Sequence, residues 1–395
     1  MQKILLATTV TWPSAARLAG AFATFGCRVE AVFPRAHVLG VSRYVSRAHS
    51  YRPLASQASL AAALEAAEPD IVIPCDHRAL ACLLSLHDAG CDPYATIARS
   101  LGCVASYPSM MTRSRSIAIA CEEGVLAPLT IPVADEAGLA QGLEVIGLPA
   151  VLKSDGSWGG DGVVIVHTRE EAKVAFRKLK GPPSRLRSLV RIYTRDDLHF
   201  LHDALTPKTA TVHLQRFVQG KPATSAFACR DGEVLAALHM DVVASQGATG
   251  PASLLKRVDC RQMDDAVRLI ARRFGLSGLH GLDFVRDQDG AAHLIELNPR
   301  ATQICHFALG AGRDLPAGLL GLPPRPVATD KTLIALFPQA WQRDASGSRS
   351  AAYEDVPWDD PEVVRASIGT ELPDSLAATL EEMAPAALRP RRSES

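Results

Sequence analysis

Residues 281–303 read GLDFVRDQDGAAHLIELNPRATQ, and two carboxylates interrupt what otherwise looks like buried β-strand. Gly281–Val285 and His293–Leu297 are mostly apolar, and Asp-Gln-Asp-Gly between them is a strong turn signal. A two-residue loop at Asp289-Gly290 sets Gln288 against Ala291. It predicts Asp283 opposite Glu296 and Gly281 opposite Asn298. Side chains alternate along a strand, so Glu296 and Asn298 share a face. Directly opposed Cβ atoms lie roughly 5 Å apart, and like charges there destabilise a hairpin. A cation must sit between them.

Composition narrows what that cation serves. A chain of 395 residues suits two or three domains, and 47% hydrophobic residues allow a large core. Lys plus Arg equals Asp plus Glu at 42 each, so there is no basic footprint for nucleic acid or an anionic membrane. No apolar run approaches the roughly 20 residues that span a bilayer. The N-terminus, MQKILLATTVTWPSAARLAG, has one Lys, a short apolar segment and Pro13 without a small-residue cleavage pattern, so no signal peptide is expected. Nine cysteines without C-x-x-C pairs or zinc spacing read as small buried hydrophobes of a reducing cytosol, which implies a cytoplasmic protein.

Along residues 1–105, KILLATTV, CRVEAVFP and IVIP read as strands alternating with the helices SAARLAGAFATFG and SLAAALEAAE. That alternation predicts a small doubly wound parallel sheet. Its first turn, ATTVTWPSA, lacks G-x-G-x-x-G, so no dinucleotide site is expected there. Thr8, Thr9, Trp12 and Asp76-His77-Arg78 fall at strand carboxyl ends, where ligands usually lie, and are candidates for substrate contacts as well as for ordinary caps. From residue 106 the helix SRSIAIACEEG, the extended VLAPLTIPV and the helix DEAGLAQGLEVIG lead to LPAVLKSDGSWGGDGVVIVHT, read as strand, Gly-rich loop, strand. Three strands follow in ATVHLQRFVQG, TSAFACRDG and EVLAALHMDVVA, then the helix CRQMDDAVRLIARRFGL and the opening hairpin. Beyond 313 the chain is richer in Pro, Gly, Ser and Asp, and RPRRSES at the end reads as disordered.

In VLKSDGSWGGDGVVIV, Lys153 ends a strand and the loop after it holds Gly156, Gly159, Gly160 and Gly162. Glycines let backbone N–H groups approach a polyanion, and a neighbouring Lys is a point charge suited to phosphate. The spacing is not that of a P-loop. Asp283, Glu296 and Asn298 supply hard oxygen donors of the kind that suits Mg²⁺ shared with phosphate oxygens.

In this order the features resemble the ATP-grasp superfamily over residues 1–312, with the motifs between 113 and 300. The resemblance implies an α/β (α+β) fold: an N-terminal doubly wound parallel-sheet domain, and a nucleotide clamped between two sheet-containing subdomains. It divides the chain into an N-terminal domain over 1–105, an ATP-grasp domain over 106–312 with a lid at about 140–218, and a C-terminal extension over 313–395. Arg113 and Lys153 match phosphate-binding cations, and Ser154 to Gly162 match the lid over the phosphates. Gln215 matches the adenine residue, with main-chain contacts from Arg216 and Val218. Asp283, Glu296 and Asn298 match the Mg²⁺ ligands, with Mn²⁺ as the alternative ion, and Arg300 matches an Arg at the γ-phosphate or acyl phosphate. Two departures stand out. Pro222 occupies the place of the usual ribose-binding Glu, and Gly281 replaces an Arg of D-alanine–D-alanine ligase.

The implied activity is an ATP- and Mg²⁺-dependent ligase that makes an acyl phosphate and joins it to an amine, releasing ADP and phosphate. Its partners would be a small-molecule carboxylate and amine, with a homodimer as an option. Rival readings are a non-catalytic ATP sensor and an ATP-grasp carboxylase or carbamoyl-phosphate-forming enzyme. His239, His280, His293 and His306 read as structural or supporting groups.

Overall fold

The computed structural model describes residues 1–89, 95–155, 162–181, 210–247, 250–341 and 351–371. Its strands form three sheets. In the first, β1 (Lys3–Ala7), β2 (Arg28–Phe33), β3 (Arg47–Ser50) and β4 (Ile71–Pro74) are parallel in the order β3-β2-β1-β4. Near-continuous apolar runs such as ILLA and IVI suit strands covered on both faces, as parallel sheets require. Helices Ser14–Ala23, Ser56–Ala67 and His77–Asp88 accompany them, so the expected doubly wound unit is present. β3 was not anticipated, because the polar RAHS carries no apolar signal.

The second sheet is antiparallel, in the order β5 (Thr130–Val133), β8 (Val212–Arg216), β6 (Ala150–Ser154), β7 (Val163–Val166). Ala150, Leu152, Val212, Leu214 and Val133 pack on Leu139, Leu143, Ala172 and Phe176 from helices Glu136–Ile146 and Arg169–Lys180. By alternation the other face carries Lys153, paired with His213, and Val151, paired with Gln215.

The third sheet has seven strands, β13-β12-β9-β10-β11-β14-β15. It contains β9 (Lys221–Arg230), β10 (Glu233–Ser245), β11 (Ala252–Arg257), β12 (Gly278–Arg286), β13 (Ala292–Asn298), β14 (Leu333–Leu336) and β15 (Tyr353–Asp355). Helix Arg261–Phe274 buries Met263, Val267, Ile270 and Phe274 in a core shared with Leu282, Phe284, Leu294 and Leu297. The stretch beyond 313 contributes β14 and β15 to this sheet, a role its composition did not reveal. The C-terminal RPRRSES lies outside the described residues. Among the described residues no helix is long and apolar enough to cross a membrane.

Candidate functional site

Leu282 and Phe284 point to the helix side of the seven-stranded sheet, so Asp283 between them faces the other way. Asp283 does pair with Glu296, and Gly281 with Asn298. The hairpin reaches that register by a different route from the one expected. Asp287 N donates to Ala291 O at 3.0 Å, and Gly290 takes φ +84°, so the loop has three residues instead of two. A one-residue bulge offsets the difference. Phe284 pairs with Leu294 and Asp283 with Glu296, leaving Ile295 as the extra residue. Ile295 O accepts a hydrogen bond from Lys153 Nζ at 3.1 Å, tying the four-stranded antiparallel sheet to the hairpin.

A side-chain cation meets one of the two carboxylates, Glu296. Arg113, the first residue of helix Arg113–Glu122, donates through Nη2 to Glu296 Oε1 at 2.9 Å and through Nη1 to Ser154 O. Burial pushes the Glu296 carboxyl up, but Arg113 and Lys153 outweigh it and bring it down to about 2. Asp283 is raised instead, by burial first and the Glu296 charge second. Its Oδ1 accepts from Thr224 Oγ1 and its Oδ2 from Asn298 Nδ2, both at 2.8 Å. Burial lowers Lys153 to about 8, although Glu296 acts in the opposite direction. Arg300 donates from Nη2 to Asn298 Oδ1 at 3.2 Å and from Nε to His77 Nδ1 at 3.0 Å.

On the four-stranded antiparallel sheet, Ser154 N donates to Gly162 O at 3.0 Å, closing the base of the Gly-rich loop. Gly156, Gly159 and Gly160, with Trp158, lie outside the described residues. Gln215 is buried, and its Nε2 donates to Thr130 Oγ1 at 2.8 Å, which leaves Oε1 as the atom free to accept from an exocyclic amine. Arg216 N donates to Leu129 O at 2.9 Å, so a main-chain contact from this residue falls to its carbonyl. Val218 lies just beyond, in the half-buried connection to β9. The structure thus brings Arg113, Lys153, Ser154, Asp283, Glu296, Asn298 and Arg300 to one cleft.

Sequence reasoning missed Thr224 and the Asp155–His213 pair (2.7 Å). Two-residue alternation from Gln215 points to His213, whereas Thr224 becomes visible only through the β9–β12 pairing. The four histidines read as structural or supporting groups all have such partners: His239 bonds to Ser225 and Asp264, His280 to Ser277 O, His293 to Asp287, and His306 to Asp355.

No family model and no curated protein sequence matches the chain. Solved structures do. Biotin carboxylase from Campylobacter jejuni, in complex with an ATP analogue, matches with TM-score 0.59 and 15% identity over 84% of this chain and 73% of its own. Carboxyaminoimidazole ribonucleotide synthase from Aspergillus clavatus, complexed with ATP, gives 0.60 and 12% over 82% and 78%. L-amino acid ligase from Bacillus licheniformis gives 0.56 and 15% over 82% and 75%. This is the ATP-grasp fold.

Both departures from the ATP-grasp pattern have structural correlates. Pro222 sits at the start of β9 opposite Val285 and offers no acidic group. At Gly281 an added Cβ would lie 2.5 Å from Thr302 Cγ2 and 3.2 Å from Ser225 O. Any side chain at this position must displace Thr302.

Proposed function

We propose that the protein is an ATP- and Mg²⁺-dependent ligase that activates a carboxylate as an acyl phosphate and joins it to the amine of a small molecule or amino acid. The observation that carries this reading is the convergence of Arg113 and Lys153, from one side of the cleft, on Asp283, Glu296 and Asn298 from the other. Among the described residues no three His, Cys, Asp or Glu side chains group as a metal site. Two carboxylates and an amide oxygen nevertheless fit Mg²⁺, which takes one or two carboxylates and completes its shell with phosphate and water. Asp283, Glu296 and Asn298 would hold the ion, which supplies charge neutralisation on the transferring phosphoryl group.

The chain's own groups do the rest. Lys153 and Arg113 hold the phosphates, Gln215 and Val218 with the Arg216 carbonyl hold the base, and Arg300 faces the acyl phosphate. The amine attacks the acyl carbon and phosphate leaves. No side-chain nucleophile is needed. The test is an ADP-release assay across pairs of carboxylates and amines, with bicarbonate among the acids. Release requiring both an acid and an amine supports the ligase. Release with bicarbonate alone would favour the carboxylase reading, and nucleotide binding without turnover on any pair would favour a sensor.

A further inference from the structure

The carboxyl end of the parallel sheet carries Asp76 and His77, which have no role so far. β1 has β2 on one side and β4 on the other, so strand order reverses between β1 and β4. In open α/β sheets ligands lie outside the carboxyl ends of the strands at such a point. The residues at this end are tightly held. Asp76 caps helix His77–Asp88 by accepting from Ala79 N (2.9 Å), and it also accepts from Thr9 N (2.6 Å), Thr9 Oγ1 (2.8 Å) and Thr8 Oγ1 (3.1 Å). The chain after β13 joins this end of the sheet: Ala301 N donates to Pro74 O at 3.0 Å, and Arg300 Nε to His77 Nδ1 at 3.0 Å.

The Arg300 bond decides the tautomer of His77. A guanidinium stays protonated and only donates, so Nδ1 must accept. Burial, with Arg300 next, holds the ring's pKa down to about 3, so the imidazole is neutral and its one proton is on Nε2. Among the described residues that Nε2–H has no hydrogen-bond partner. The ring also lies within electrostatic reach of Glu296 and Arg113, beside the cleft described above.

The geometry points to His77 as a neutral donor that binds, through Nε2–H, the carboxylate of the acid substrate next to Arg300. This rests on the ligase reading and gives the acid its place. A neutral donor suits the task, because the carboxylate must stay nucleophilic toward phosphorus. A second full positive charge would stabilise it before reaction. Nε2–H keeps hold of the same oxygen once it has become the carbonyl of the acyl phosphate.

The test uses full-length protein with ¹⁵N-labelled histidine, MgADP, and acetyl phosphate as the probe. The His77 ring should show the Nε2–H tautomer from about pH 5 to 8, and its Nε2 resonance should shift when acetyl phosphate is added. In His77→Asn, Oδ1 can still accept from Arg300 but no donor reaches the Nε2 position. It should bind acetyl phosphate about tenfold or more weakly, with MgADP binding unchanged. His77→Gln, whose Nε2–H reaches farther, should recover part of the loss. An Nδ1–H tautomer, an unmoved Nε2 resonance, or full acetyl phosphate binding by His77→Asn would overturn the proposal while MgADP binding leaves the ligase reading standing. Failure of the wild-type protein to bind MgADP would sink both.

Discussion

Two cations and two carboxylates share one small space at this site, and their balance sets what single substitutions should do. Glu296 compensates both Arg113 and Lys153, so Glu296→Gln strips a charge from a largely buried cluster. Relief of repulsion on Asp283 acts the other way but involves one partner against two. Denaturant unfolding of Glu296→Gln should therefore show a loss of about 2 kcal/mol or more, and Mg²⁺-dependent ADP release should vanish. Equal stability would show that the cations find other partners. Lys153 carries the pH dependence. Its pKa of about 8 lies below the ordinary 10.5, so between those values the unfolded chain binds the proton that the folded chain has lost. Stability should rise with pH across that window, while affinity for an ATP analogue falls because phosphate needs the charged form. Lys153→Arg should remove the alkaline fall in affinity; a fall that persists would assign it to another group.

At the scale of elements, the decisive hairpin was legible and its details were not. Alternation and the Asp-Gly turn gave the Asp283–Glu296 pair, yet the expected loop was one residue short and the Ile295 bulge unseen. The two differences cancel in register. The bulge sets a three-residue step between the buried Leu294 and Leu297, and across the cleft Lys153 takes the carbonyl of the extra residue, Ile295. Motif residues were legible because charges inside apolar strands break the pattern of burial and so stand out in the sequence. His77 was visible merely as a strand-end residue, since its partner Arg300 is 223 positions away. Gly281 belongs to this scale too. Gly281→Ala should push Thr302 aside next to Arg300, costing about 1–3 kcal/mol by overpacking and slowing ADP release. Wild-type stability and turnover in this variant would mean that the 300–302 segment is compliant.

At the scale of the whole molecule, the C-terminal segment straps the N-terminal unit onto the seven-stranded sheet. Asp355 on β15 is buried and bonds to Arg17 Nη2 from helix Ser14–Ala23 and to His306 Nε2 at 2.9 Å. Asp360 accepts from Ser42 Oγ and Asp359 from Tyr44 Oη. A cavity of about 190 Å³ lies among these groups, and none of Lys153, Asp283 or Glu296 lines it. The strap thus acts through geometry and stability, at a distance from the proposed chemistry. It matters for chemistry because Arg300 and His77 come from the two bodies it joins. Asp355→Asn keeps the side-chain shape but leaves Arg17 without its counter-charge in a site where Arg17 Nε is already unpartnered. Breaking a buried pair in this way costs about 3–5 kcal/mol, so the variant should melt well below wild type. The groups proposed to hold the nucleotide lie on the hairpin and the four-stranded antiparallel sheet, so MgADP affinity should hold. Turnover should fall with stability, as the N-terminal unit loosens its hold on Arg300. A variant with wild-type melting temperature would show that Asp359 suffices as the counter-charge of Arg17. One that loses MgADP affinity would place the strap within the nucleotide site after all.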